Sequence, residues 1–206
     1  LFYRNLGYKV VAIRHPMPYG DLSKQVVQKF YKYEDLAKNK CTIEEWEEYE
    51  PHLRSGISVF AGVDYAKIVK EAEKEFDIII WDGGNNDFPF VKPDISMVVV
   101  DSRRFTHITK YHPGEANFRM ADVILINKMY GSTQEPINFI KENAKKLNPK
   151  AKVIVIKSEV ICKEHNLIKN KNVLVVEDGP TLTHGGMDYG TASVAARIYG
   201  AKSVVD

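Results

Sequence analysis

The chain has 206 residues, of which 44% are hydrophobic and 27% charged, with a formal net charge of +2. These values are ordinary for a globular protein, and so small a net charge gives no support to nucleic-acid binding. No apolar run approaches the roughly 20 residues that span a bilayer, and no secretory signal is visible, so we expect a cytoplasmic protein without a membrane partner. Cys41 and Cys162 form neither a zinc motif nor a disulfide framework, which suits reduced thiols.

Strands and helices alternate along the sequence. Residues 1–7 predict the last turns of a helix that Gly7 closes, so we expect the chain to begin inside a helix. Residues 65–76 and 135–147 also show helical spacing of apolar side chains. Apolar runs predict strands at 9–13, 57–61, 77–81, 96–100, 122–126, 152–156 and 172–176. This alternation predicts an α/β fold with a mainly parallel sheet and helices on both faces.

Two segments interrupt the alternation. Residues 16–54 are long, charged and aromatic, and Thr42 with Glu45 makes a capping box for a short helix. We expect this segment to be an insertion that lies over the mouth of the sheet as a lid. The alternative is an insertion with a purely structural role. Residues 172–206 are either the start of a further α/β unit or the last strand and helix of the core.

The apolar run 77–81 ends abruptly in Asp82, Gly83 and Gly84. Open α/β sheets bind ligands beyond the carboxyl ends of their strands, and a carboxylate at that place holds Mg²⁺ in phosphoryl-transfer enzymes. Glycines there let phosphate oxygens approach the backbone. Asp82 is therefore our candidate for a Walker B metal ligand, and a plain strand followed by a polar turn is the alternative.

Basic side chains follow two other predicted strands. Arg14 and His15 open a stiff loop with two prolines, and both can pair with phosphate or carboxylate oxygens. Residues 101–119 are predicted to form a basic loop for a small, highly anionic substrate. The alternative for this second loop is a solvated basic face.

Two further motifs indicate nucleotide or anion binding. Asn127 and Lys128 follow the strand at 122–126, and in nucleotide-binding proteins such an Asn-Lys pair begins the loop that recognises the base. Tyr130 stands where an aspartate would accept hydrogen bonds from guanine. The glycine-rich stretch 177–190 precedes a helix and can bind an anion at its N-terminus, with a domain-joining loop as the alternative. No G-x-x-x-x-G-K-[ST] motif occurs in the sequence.

Four motifs, at 14–21, 81–90, 111–115 and 177–185, together resemble the cyclic 2,3-diphosphoglycerate synthetase family of archaea. The resemblance implies a P-loop NTPase core of the SIMIBI type that uses ATP and Mg²⁺ to close an intramolecular phosphoanhydride in 2,3-diphosphoglycerate. In that family the P-loop precedes the helix leading into the strand before Arg14. We therefore expect residues 1–171 to be a core without its N-terminal strand and P-loop, and the fragment alone to be inactive.

Roles follow from these motifs and from the resemblance. The expected catalytic carboxylates are Asp82, Asp21 and Asp87, and the first two are the expected metal ligands. The expected contacts of the nucleotide base are Asn127 and Lys128. The expected substrate-binding residues are Arg14, His15, Arg103, Arg104, His107, His112 and His184. A nucleotide-switch or metallochaperone-type GTPase and a non-catalytic interaction module are the alternative functions, and assembly as a homodimer is left open.

Overall fold

The structure is a computed structural model that describes residues 1–16, 20–84, 87–127, 133–177 and 189–205. The strands are β1 (Val10–Arg14), β2 (Gln28–Phe30), β3 (Ser58–Ala61), β4 (Ile78–Trp81), β5 (Met97–Asp101), β6 (Val123–Asn127), β7 (Lys152–Val155), β8 (Asn172–Leu174) and β9 (Ser203–Val205). The α-helices are α1 (Phe2–Asn5), α2 (Glu34–Lys38), α3 (Ile43–Arg54), α4 (Tyr65–Ala72), α5 (Gly114–Met120), α6 (Gln134–Leu147) and α7 (Thr191–Ile198), and 3₁₀-helices span Ser102–Thr109 and His165–Leu167.

The first sheet has the strand order β2-β3-β1-β4. The strands β1, β3 and β4 run parallel to one another. The strand β2 pairs antiparallel with β3 at one edge of the sheet. On one face α4 packs Ile68 against Val11 and Phe60. On the other face α2 and α3 pack Leu36 and Tyr49 against the sheet. This arrangement confirms the predicted α/β fold with a mainly parallel sheet and helices on both faces.

The second sheet has the order β5-β6-β7, with all three strands parallel. Alternate residues of each strand face a core to which α5 and α6 contribute Phe118 and Ile140. The opposite side chains of β5 remain exposed, with Met97 60% and Val99 44% accessible to solvent. This sheet therefore has one covered and one open apolar face within the described residues.

The strand β8 forms a two-stranded parallel sheet with β9, a strand that was not predicted. The predicted strands at 9–13, 57–61, 77–81, 96–100, 122–126, 152–156 and 172–176 are all present, with bounds shifted by up to two residues. No helix of the described part of the chain is long and apolar enough to cross a membrane.

Two sequence predictions differ from the structure. Residues 16–54 contain β2, which extends the first sheet, so this segment is partly built into the sheet rather than only laid over it. The predicted basic loop is wrong, because its residues form the Ser102–Thr109 3₁₀-helix and α5. The side chain of Asp101 accepts a hydrogen bond from the backbone N–H of Arg103 and so caps the 3₁₀-helix.

Candidate functional site

The carboxyl ends of β1 and β4 bring the first two candidate residues together. These strands are parallel neighbours, and the Asp82 backbone N–H donates to the Ile13 carbonyl at 3.0 Å. Arg14 and Asp82 therefore leave adjacent strands at the same edge of the sheet. A Cβ at Gly83 would lie 2.7 Å from the indole nitrogen of Trp81, so this strand end accepts only glycine without rearrangement.

Arg14 joins two carboxylates across this edge. One guanidinium nitrogen donates to Asp82 Oδ2 at 2.7 Å, and the other pairs with Glu48 of α3. The Arg14 side chain is only 18% exposed, so these charges interact in partly desolvated surroundings. Charge-assisted pairs of this kind fix orientation as well as adding energy. Arg14 was predicted to bind substrate, and here its guanidinium is already engaged within the protein.

His52 completes the network from the same helix. Its Nε2 lies 3.3 Å from Asp82 Oδ2. This hydrogen bond, together with the positive charge of Arg14, lowers the pKa of Asp82 although burial opposes the shift. Asp82 is therefore ionised at neutral pH, as a cation ligand must be.

Glu48 and His52 were missed by sequence reasoning. Both lie in the segment interpreted as an insertion, spaced i and i+4 on α3 and therefore on one helix face. The adjacent Tyr49 and Leu53 are buried against the sheet. A polar i, i+4 pair next to a buried apolar pair was the available signal, and it is too common in surface helices to identify a site alone.

Asp87 and His15 form a second, looser contact beside this network. His15 Nδ1 lies 3.6 Å from Asp87 Oδ2, and the Gly84 backbone N–H donates to the same oxygen at 3.2 Å. The Asp87 carbonyl accepts a hydrogen bond from Asn117 Nδ2 at 2.9 Å. Because Asn117 belongs to α5, this contact ties the edge of the first sheet to the helices of the second.

Asp21 contacts its neighbours in the chain rather than the side chains of this network. Its carboxylate accepts hydrogen bonds from the backbone N–H and hydroxyl of Ser23 and pairs with Lys24 at 3.0 Å. These local hydrogen bonds lower the pKa of Asp21. Across the part of the chain that the structure describes, no group of three or more His, Cys, Asp and Glu side chains could hold a metal.

Asp82 alone nevertheless fits a Mg²⁺ ion that is carried by a nucleotide. Arg14 and His52 both contact its Oδ2, and its side chain is 41% exposed. Mg²⁺ is commonly held by one or two carboxylates together with substrate phosphates and water. The residues present therefore suit a single protein ligand rather than an all-protein cage.

The basic residues of the second sheet are distributed over two helical segments. Arg103 folds back so that its Nε lies 3.5 Å from Asp101 Oδ1, and Arg104 lies in the same 3₁₀-helix. His107 and His112 are exposed, and the His112 ring packs 5.3 Å from the ring of Phe88. The last contact places His112 near the loop that follows Asp82, whereas Arg103 is partly neutralised.

Asn127 lies at the carboxyl end of β6, directly opposite Asp101 of β5. Its side-chain oxygen accepts a hydrogen bond from the Ser158 hydroxyl at 2.5 Å. Asn127 is therefore at a strand end where a ligand can reach it, although its amide oxygen already has a partner. Lys128, the second residue predicted to contact the base, lies outside the described residues, and so does His184.

The N-terminus of α7 was predicted to bind an external anion, but Glu177 occupies it. The backbone N–H groups of Gly190, Ala192 and Ser193 donate to its two carboxylate oxygens at 2.7–3.3 Å. Burial favours a higher pKa for Glu177, but these hydrogen bonds outweigh it and lower the pKa. The helix end is thus satisfied by the protein's own carboxylate.

No family model matches the chain. A curated relative, arginine synthetase ArcE of Thermococcus kodakarensis, is 60% identical over 203 residues, which is 98% of this chain and 45% of that protein. The chain therefore spans less than half the length of this relative.

Two solved structures of the hydrogenase maturation factor HypB are also similar. The one from Archaeoglobus fulgidus has 21% identity and a TM-score of 0.46, covering 74% of this chain and 69% of its own. The one from Helicobacter pylori, in complex with nickel, has 17% identity and a TM-score of 0.41, covering 76% and 81%. Both TM-scores are too low to support a conclusion about this chain.

Proposed function

We propose that the chain is part of a synthetase that uses ATP and Mg²⁺ to activate its substrate by phosphoryl transfer. The observation that carries this proposal is the ionised Asp82 at the carboxyl end of a parallel strand, held by Arg14 and His52. The 60% identity with a named synthetase supports the same reaction class. When bound, Mg²⁺ would neutralise phosphate charge, as metal ions do in phosphoryl transfer.

The side chains of this protein would position the metal-binding carboxylate and orient the substrate. Arg14 holds the Asp82 carboxylate toward the strand edge, and Glu48 fixes the other end of the guanidinium. Asp87 would orient the substrate or a water from the adjacent loop. Most of the catalytic effect in phosphoryl transfer comes from such positioning and electrostatics.

The phosphates of the nucleotide require a partner that is not in these 206 residues, because no P-loop motif occurs in them. We propose that a P-loop strand of the same polypeptide lies between β4 and β5. In the described residues each is the terminal strand of its sheet and pairs in parallel with its neighbour, and both carry exposed apolar side chains, including Ile80 and Met97. Edge strands of this kind present unpaired backbone groups that another strand can satisfy.

The product that we favour is arginine, because the relative with 60% identity is named for it. The network around Asp82 contains the carboxylates of Glu48 and Asp82, with that of Asp87 nearby, against the single guanidinium of Arg14. Carboxylates of this kind recognise a guanidinium through paired hydrogen bonds. This surplus of negative charge suits a cationic product and a metal-bound nucleotide.

Cyclic 2,3-diphosphoglycerate is the second candidate product, and it rests on the sequence motifs described above. The exposed His107 and His112, with Arg103 and Arg104 nearby, favour an anionic substrate. A substrate with two phosphates would need positive charge in addition to that of the metal ion, and arginine side chains are suited to binding phosphate.

The test uses the intact protein and measures binding by calorimetry. ATP and GTP are compared first in the presence of Mg²⁺, then arginine and 2,3-diphosphoglycerate are titrated into the nucleotide complex. We expect ATP to bind, arginine to bind the complex, and Asp82→Asn to weaken the Mg²⁺-dependent part of nucleotide binding at least tenfold. Equal nucleotide binding with and without Asp82 would refute the metal role, and preference for GTP would favour a switch protein.

A further inference from the structure

A buried polar layer lies between α3 and the first sheet, behind the Asp82 network. Register places Arg14, Ala61 and Gln28 in one row across β1, β3 and β2. Gln28 shares its sheet face with Phe30, whose ring packs 5.1 Å from the ring of Tyr49. Tyr49 of α3 therefore lies over the same side of the sheet toward which the Gln28 side chain points.

Gln25 reaches this layer from the preceding loop. Its carbonyl accepts a hydrogen bond from the Val63 backbone N–H, and a Cβ at Gly62 would lie 2.7 Å from that carbonyl. Gly62, with φ of +149°, thus lets the loop pass close to the end of β3. The Gln25 side chain then donates from Nε2 to Glu45 Oε1 of α3 at 3.2 Å.

The layer contains buried oxygen atoms that have no hydrogen-bond partner. Gln25, Gln28, Glu45 and Tyr49 are each at least 92% buried. Among the described residues, Gln25 Oε1, Gln28 Oε1 and the Tyr49 hydroxyl have no hydrogen-bond partner. Gln25 contacts Glu45 through Nε2, so the Gln25 oxygen that lacks a partner is not the atom that faces this carboxyl group.

Glu45 adds a buried carboxyl group to these polar side chains. Its oxygens accept from Gln25 Nε2 and from the Thr42 backbone N–H, and none of the ion pairs of the described residues includes it. Buried polar groups without partners are costly, and a bound water or ion is one way in which native proteins satisfy them. A water donates only two hydrogen bonds, whereas one cation can be coordinated by several oxygens at once, including those of a carboxyl group.

We propose that this layer is a monovalent cation site with Gln25 Oε1, Gln28 Oε1, the Tyr49 hydroxyl and Glu45 as its oxygen ligands. Hard cations take oxygen ligands of these types. One carboxylate with neutral amide and phenol oxygens suits a single positive charge, since Mg²⁺ retains waters and demands near-octahedral geometry. Potassium is the probe ion for the test.

A bound cation would hold α3 in position on the sheet. Glu45 and Tyr49 precede Glu48 and His52 by about one turn on this helix, so a cation bound beneath the helix fixes the side chains that hold Arg14 and Asp82. The site is separate from the proposed nucleotide and metal positions. Its existence does not depend on the proposed synthetase activity, because the readout below is stability.

The first measurement is thermal unfolding of the intact protein in potassium, sodium and choline chloride at one ionic strength. We expect a saturable rise of the unfolding midpoint with potassium that choline does not reproduce. At a potassium concentration ten times its dissociation constant, the folded-to-unfolded ratio rises about eleven-fold. The same midpoint in potassium and choline would overturn the proposal and leave water as the occupant.

Variants then locate the effect. Gln28→Leu removes one acceptor while keeping a similar volume, and we expect it to lose most of the difference between potassium and choline. Gln134→Leu, which changes an exposed glutamine on α6, is the matched control and should keep that difference. Tyr49→Phe keeps the ring and removes one oxygen, so it should raise the potassium concentration at half-saturation about tenfold. Potassium dependence equal in Gln134→Leu and in either layer variant that folds would refute this location.

Discussion

The exchange of Arg14 for methionine tests whether the network at the strand edge is a partly desolvated ion-pair cluster. Arg14→Met leaves the carboxylates of Glu48 and Asp82 facing each other without the guanidinium between them. Breaking a fully buried pair costs about 3–5 kcal/mol, whereas exposed pairs contribute about 0.2–1 kcal/mol. Arg14 is 18% exposed and its partners are 36% and 41% exposed, which places this site between the two limits. We expect a loss of about 2 kcal/mol in the free energy of unfolding.

The assay is urea unfolding at pH 7, with the stability change taken from the midpoint at an unchanged slope. Arg54→Met is the matched control, because Arg54 is 71% exposed and pairs with Glu50 on the same helix. Its expected loss is below about 0.5 kcal/mol. A double-mutant cycle of Arg14→Met with Glu48→Gln should give a coupling of about 1 kcal/mol. Equal losses for Arg14→Met and Arg54→Met would refute the reasoning, since the first pair would then behave as a surface pair.

Three further predictions concern the surrounding structure. His52 lowers the pKa of Asp82, so Asp82 contributes stability that is present above its unfolded pKa of 3.8 and is lost as pH falls through its folded pKa. His52→Gln should therefore move the acid-unfolding midpoint to higher pH, and an unchanged midpoint would contradict this. Thr42→Val removes the capping box of α3 and should cost about 1 kcal/mol in thermal unfolding; no loss would show that tertiary packing alone holds this helix end. Asn148→Ala leaves two buried backbone carbonyls without their amide donor and should cost about 2–3 kcal/mol in urea unfolding; a loss below about 0.5 kcal/mol would mean that water reaches them.

The strands of the two larger sheets show where sequence reasoning succeeds. The run that ends in Trp81 was predicted to be a strand, and the structure confirms it as β4, although Ile80 of this strand is 41% exposed rather than buried. The structure pairs β4 with β1 in parallel, which brings Arg14 to Asp82 as two neighbouring strand ends. Because parallel strands share the edge at which they end, the placement of these two residues follows from the order of strands and helices in the sequence.

The helical segments show where the same reasoning fails. Residues 101–119 were interpreted as a loop because their polar and basic composition hides any apolar stripe. The local hydrogen bond from the Arg103 N–H to Asp101 and the packing of Ile108 and Phe118 into the core decide the outcome. The strand β2 was missed for a related reason, since its three residues are too short for alternation to be visible.

By itself the sequence determined the parallel α/β architecture, the capping box of α3 and the position of Asp82 at a strand end, because each depends on spacing within one short segment. Only the tertiary structure decided that Glu48 and His52 hold Arg14 and Asp82, that Glu177 occupies the end of α7, and that Gln28 and Tyr49 share a buried layer. These contacts join residues that are distant in sequence. Their geometry depends on how α3 packs on the sheet and how other elements pack against one another. A local sequence pattern does not predict such packing.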